Sequence, residues 1–253
     1  MIRGLYTSAL GMITQMQRMD IVTNNIANVN TTAYKRDHVV SHAFSDQFLY
    51  RLNDPGIRMF RNQLQWPVGR INPGVFVDDV FTAFTQGALE QTVNSLDIAI
   101  FGQGFFTVNV NGEELFTRDG SFTLFEGILM TATGGRVQGQ NGDIILPNGY
   151  IVIDEQGRIF VNDEYQDTLR MTMFTDLHSL RKLHDNFFRI TEHSEVMPFT
   201  GTLQQGFLEG SNVNIVAEMV QMITLSRAYE TNARMITIQD GTLQHAVNDI
   251  ARR

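Results

Sequence analysis

The chain has 253 residues, 43% hydrophobic and 18% charged, which suits one large folded domain or two small ones and argues against wholesale disorder. Its formal charge of −8, from 27 acidic and 19 basic residues, argues against general nucleic-acid binding, where affinity comes from neutralising phosphates. The absence of cysteine excludes disulfides, thiol catalysis, iron–sulfur clusters and most structural zinc sites, and only Lys35 and Lys182 among the basic residues are lysines.

The N-terminus runs from Arg3 through Leu5 and Leu10 to Gln15, Gln17 and Arg18 without an uninterrupted apolar stretch, so neither a cleaved signal peptide nor membrane insertion is expected. From Ile2 the residues Leu5, Ala9, Met12, Met16, Met19, Thr23 and Ile26 recur at alternating spacings of three and four, the seam of a heptad helix. Asn24, Asn25, Asn28 and Asn30 crowd its end, where asparagine tolerates left-handed backbone and satisfies local groups.

Residues 35–70 have a different character. Six basic residues (Lys35, Arg36, Arg51, Arg58, Arg61, Arg70) face three acidic ones (Asp37, Asp46, Asp54), a net +3 against −11 for the rest of the chain. With Pro55-Gly56, Trp66-Pro67 and Pro73-Gly74 as turn signals, residues 35–74 read as an irregular basic connector. It is either a solvated linker or an electrostatic contact with an acidic neighbouring subunit or an anionic cell-wall polymer.

Residues 75–200 read as β-rich. Twelve of the 21 glycines fall between Gly87 and Gly157, many in turn pairs such as Asn111-Gly112, Asp119-Gly120 and Asn141-Gly142. Short β-prone runs lie between them: Ile98 to Phe101, Phe105 to Val110, Leu115 to Thr117, Ile144 to Leu146 and Tyr150 to Ile153. A later patch joins Leu169 to Phe174 with Phe187 to Thr191. This spacing predicts antiparallel hairpins.

Residues 201–253 close the chain with a second, longer seam through Ile215, Met219, Met222, Ser226, Tyr229, Ala233, Ile236, Asp240, Leu243, Val247 and Ile250. Ser211 or Asn212 is the expected N-cap, and Gly241 weakens the last turns. The fold class is therefore α+β, with long terminal helices pairing as a coiled coil, residues 1–34 contributing the first, around a central antiparallel β domain. The N-terminal helix carries only Arg3, Arg18 and Asp20 as charges, which suits burial on several sides and predicts self-assembly. The candidate interface residues are Leu5, Met12, Met16, Met19, Asn24, Asn25, Ile26, Asn28, Ile215, Met219, Met222, Tyr229, Ile236, Leu243 and Ile250.

Catalytic patterns fail on their context. Gly102-Gln103-Gly104 lacks the third glycine of a dinucleotide fingerprint and opens a strand, whereas pyrophosphate binding needs a helix N-terminus. His178, His184 and His193, with Glu192 and Glu195 nearby, lack the helical pairing of a zinc-binding motif. The neighbours Asp78-Asp79 and Glu113-Glu114 would point to opposite faces of a strand rather than converge on one bond. No enzyme activity, cofactor or metal is expected.

Three separated motifs carry a resemblance. Ser8-Ala9-Leu10-Gly11-Met12, Asp20, Asn24 through Thr32 and Tyr34-Lys35 resemble the N-terminal signature of bacterial flagellar rod and hook proteins. Gln86-Gly87-Ala88-Leu89, Leu96 through Ile100, Gly102 through Phe106 and Thr117 through Phe122 are similar to that family's β domain. Gln205 through Asn214 and Arg227 through Asn232 resemble its C-terminal signature.

The middle is short for a hook protein, so the likeness is greatest to the basal-body rod proteins, with proximal and distal rod both open. The resemblance implies a structural subunit of the torque-transmitting rod in the cell envelope, exported unfolded by the flagellar type III apparatus without signal cleavage. It also implies assembly with copies of itself and other axial proteins, helices lining the inner tube and the β domain outside. A short hook-type axial protein shares every motif. A wall-binding or wall-cleaving envelope protein, in contact with peptidoglycan, is the alternative from another class. Ala33 departs from the family, which commonly has glycine there; a positive φ at this position would strain alanine by roughly 1–2 kcal/mol.

Overall fold

A computed structural model describes residues 2–52, 65–191 and 194–251. Two compact units are formed, one by Met1–Thr23, His38–Phe81 and Ala217–Arg253, the other by Asn24–Asp37 and Thr82–Val216.

In the first unit, α1 (Ile2–Ala27) and α2 (Ile215–Ala251) contribute most of the helix, and four strands lie between them in sequence: β1 (Asp37–Ala43), β2 (Gln47–Leu52), β3 (Gln65–Ile71) and β4 (Val75–Thr82). β1 pairs with β4, and β2 pairs antiparallel with β3 with a register shift after Leu49. The described residues of 35–74 are thus largely strand where an irregular connector is expected. Their β-prone residues (Val39, Val40, Phe48, Leu49) are interleaved with polar and basic ones, and cross-strand pairing organises what composition makes look like linker. The Pro55-Gly56 turn with Arg58 and Arg61 lies outside the described residues.

Helix α1 presents two faces. On one, Thr14 donates its hydroxyl to Val75 O (3.1 Å), and Leu10 lies over Gly74, where a Cβ would come within 2.9 Å of Leu10 Cδ1. On the other, a Cβ on Gly4 would collide with the Gln239 amide, and one on Gly11 would stand 2.9 Å from Asn232 Nδ2. Moving seven residues forward on α1 corresponds to moving seven back on α2, so the two helices run in opposite directions.

Helix α2 spans 37 residues, or about 55 Å at 1.5 Å per residue, and continues through Gly241. It starts at Ile215, later than a cap at Ser211 or Asn212 would place it, because Asn212 is committed elsewhere, as described below. The helix exit at α1 follows expectation: Asn28 N donates to Asn24 O (3.1 Å), Asn28 Nδ2 to Asn24 Oδ1 (2.7 Å), and Thr31 N to Asn28 O (3.2 Å).

The second unit is the β domain. Its strands are β5 (Leu89–Gln91), β6 (Ile98–Phe101), β7 (Phe105–Val110), β8 (Glu113–Thr117), β9 (Phe122–Phe125), β10 (Ile128–Thr131), β11 (Arg136–Gly139), β12 (Gly142–Asp143) and β13 (Ile151–Ile153). They continue with β14 (Arg158–Val161), β15 (Glu164–Thr168), β16 (Met171–Phe174), β17 (Leu180–Lys182), β18 (Phe187–Ile190), β19 (Val196–Met197), β20 (Thr202–Gln205) and β21 (Phe207–Glu209).

The largest sheet runs in the order β17-β18-β8-β7-β11-β10-β9, with β16 also bonded to β7. A separate sheet has the order β13-β14-β15, and two late strands pair with early ones, β20 with β6 and β21 with β5. Ile98, Phe106, Val108, Leu129, Val137 and Ile159 centre the main core, and Phe105, Phe116, Phe174 and Phe188 form a second, aromatic one. Edge-on ring pairs such as Phe116–Phe174 (4.9 Å, 82°) set its packing.

Candidate functional site

The β-domain unit contains a joint built on residues 31–37, a stretch with no helix or sheet ladder of its own before β1. Buried main-chain groups need partners, and side chains and main-chain groups from distant parts of the sequence supply them. Asn186 Nδ2 donates to Thr32 O (2.9 Å), Ala33 N to Glu209 O (2.7 Å) and Lys182 Nζ to Lys35 O (2.8 Å). Asn212 N donates to Tyr34 O (3.3 Å), Asn212 Oδ1 accepts from Arg36 N (2.7 Å), and Asn212 Nδ2 donates to Ala83 O (2.7 Å). Asn25 does the same at the other end, its Oδ1 accepting from Asp37 N (3.0 Å) and the Tyr34 hydroxyl (3.2 Å) and its Nδ2 donating to Asp37 O (2.8 Å).

Three charges sit at the centre. The side chains of Lys35 and Glu209 are fully buried and that of Arg118 is 3% exposed. Glu209 Oε1 accepts from Lys35 Nζ (2.6 Å) and Gly87 N (2.8 Å), and Oε2 accepts from Arg118 Nε (2.9 Å). Lys35 Nζ also donates to Thr85 O (2.8 Å), and Arg118 Nη2 to Gly102 O (2.7 Å). Burial pushes the Lys35 ammonium down to about 8; Glu209 opposes the fall and Arg118 adds to it.

Lys182, the other lysine, lies 3.6 Å from the Tyr34 ring centroid and 3.0 Å from Asp37 Oδ2, and burial lowers it too, against the pull of Asp37. Both lysines of the chain therefore hold this joint together. Ala33 lies inside it, buried and at φ +55°, so the strain foreseen for alanine in the place of glycine is present.

The helices are the second feature. Of the candidate interface residues, Asn25 is buried and Leu5, Met12, Met19, Ile26, Asn28, Met222, Tyr229, Ile236 and Leu243 are partly covered. Met16, Asn24, Ile215 and Met219 are exposed, and the side chain of Ile250 lies outside the described residues. The covered line on α2 runs through Glu218, Met222, Leu225, Tyr229, Asn232, Ile236, Gln239 and Leu243. Alternate positions of the expected seam are thus displaced by one residue, because Asn232 and Gln239 lie against Gly11 and Gly4. Apolarity alone points to Met219 and Val247 instead, which are exposed, whereas Ser226 and Ala233 of the expected seam are partly covered as well. The remaining apolar residues form an open face, with Met219 47%, Ile223 55% and Ile238 59% exposed.

The neighbouring acidic residues singled out in the sequence do not converge on one another. Glu113 and Glu114 pair separately, with Arg189 (2.5 Å) and Arg170 (3.1 Å), and Asp78 faces His42 (3.5 Å). Among the described residues no His, Asp and Glu group could hold a metal ion, and no helix is long and apolar enough to cross a membrane. Glu192 and His193 lie outside the described residues.

Three family matches fall on these features in order: flagella basal body rod protein over residues 5–35, flagellar hook protein FlgE/F/G D1 domain over 99–161, and flagellar basal body rod FlgEFG protein C-terminal over 204–249. The flagellar basal-body rod protein FlgG of Agrobacterium fabrum is 34% identical, over 94% of this chain and 95% of its own. The chain belongs to the flagellar basal-body rod protein family.

Two further relatives agree: FlgF of Caulobacter vibrioides is 33% identical over 92% of this chain and 91% of its own, and FlgG of Borreliella burgdorferi 32% over 98% of each. The protein is accordingly a structural subunit of the flagellar rod, located in the basal body and assembling with other axial flagellar proteins. Of the rod family's N- and C-terminal matches, the first takes in Lys35 and the second Glu209 and Asn212, so each end of the joint lies in a matched region.

Proposed function

We propose that this rod subunit self-assembles through α1 and α2, whose seams pair as a coiled coil in the inner wall of a tube, with the β domain outward. The tube transmits torque and encloses the export channel. The observation that carries this reading is the open apolar face on α2: Met219, Ile223 and Ile238 lie on a helix that in a lone soluble chain would carry charge there. Each such side chain contributes roughly 1.5–3 kcal/mol when covered. The chain travels to its place through the flagellar type III apparatus without loss of a signal peptide, and its basic residues Arg36 and Arg70 suit contact with an acidic neighbour or with peptidoglycan.

The test is substitution on each side of the helix. Ile223→Asp alters only the open face, and Tyr229→Asp and Ile236→Asp alter the covered one. All three are expected to abolish motility in a strain lacking the native protein while far-UV circular dichroism shows the β domain folded. Full motility with Ile223→Asp would count against assembly through this face.

A further inference from the structure

Lys35 and Arg118 are two buried cations brought against the same carboxylate. Burying either alone is unfavourable, and burying both together without an anion adds their mutual repulsion. Among the described residues, Glu209 is the acidic group that pairs with each of them. It reaches them from residue 209, across 174 positions of sequence from Lys35. The main chain of 33–36 depends on the same late segment: Ala33 N donates to Glu209 O, Tyr34 O accepts from Asn212 N, and Arg36 N donates to Asn212 Oδ1. The sheets behind the joint need far less from the end of the chain, since β7 and β8 pair with each other through Val108 and Leu115.

We propose that the segment Gln205–Asn214 is a lock for residues 31–37, so that the N-terminal part of the joint acquires structure only when Glu209 and Asn212 arrive. Until then Lys35 stays in water, because the pocket beside Arg118 repels it. In a chain that emerges N-terminus first, the stretch after α1 therefore remains open while the largest sheet of the β domain forms, and the joint closes last, together with the pairing of β21 on β5. This rests on the geometry of the joint and is independent of how the helices assemble.

Hydrogen exchange on the full-length chain tests it. In Glu209→Gln and in Asn212→Ala, the Ala33 and Arg36 amides are expected to exchange at least about tenfold faster than in the native chain, as loss of hydrogen bonds within a separately opening segment requires. Val108 and Leu115 should keep their protection. Adding Lys35→Met to Glu209→Gln should return protection to Ala33, since the repelled cation is gone. The proposal is overturned if Ala33 and Arg36 are unprotected in the native chain or unchanged in both variants. It is equally overturned if Val108 and Leu115 loosen as much as the joint, or if Lys35→Met brings no recovery.

Discussion

Lys35 shows how a residue can be held in place by charge and still be costly to bury. Its ammonium gives up its proton more readily in the folded chain than in the unfolded one, at about 8 against an ordinary 10.5. Between those values the unfolded chain binds more protons, so stability rises with pH through that window instead of falling. Lys182, lowered in the same direction, adds to the rise. Thermal melts of the native chain and Lys35→Met from neutral pH to about 10.5 check this: the native chain should gain stability relative to the variant as pH increases. Parallel curves would mean that Lys35 titrates normally. Sequence alone hides this role, because a Tyr-Lys-Arg-Asp run after a helix reads as a solvated exit, and nothing in its spacing points to Glu209 or Arg118.

The elements differ in how much their sequences declare. Both helices are legible from their periodicity, and α1 ends in the asparagine run that marks its exit. Strands β6, β7 and β8 are legible too, because turn pairs such as Asn111-Gly112 bracket continuous β-prone runs. The side of α2 that is covered is not, since the contacts are made by glycines and amides: Gly4 by Gln239 and Gly11 by Asn232. A hydrophobic template passes over both kinds of residue. The strands within 37–71 escape notice for a similar reason: β2 pairs with β3 and β1 with β4, and polar and basic residues interrupt their β-prone ones.

The two kinds of helix glycine should respond oppositely to substitution. A Cβ at Gly241 meets nothing within 4 Å, so Gly241→Ala should stabilise α2 by about 1 kcal/mol, seen as higher helicity in circular dichroism. At Gly11 a larger side chain meets Asn232, so Gly11→Leu should separate the helices and lower motility despite leucine's better helix propensity. Equal gains at both positions would show that the close approach does not matter.

At the scale of the whole molecule, one chain carries a β domain with its own aromatic and aliphatic cores and two helices with more apolar surface than a single copy covers. That combination suits a subunit that reaches its final packing among neighbours, and the family's place in the flagellar rod supplies them. The most direct measurement is electron microscopy of basal bodies purified from a strain lacking this chain. A rod truncated at a defined height is expected, restored to full length by the native gene and not by Ile223→Asp. Normal rods bearing hooks and intact filaments would contradict a structural role in the rod.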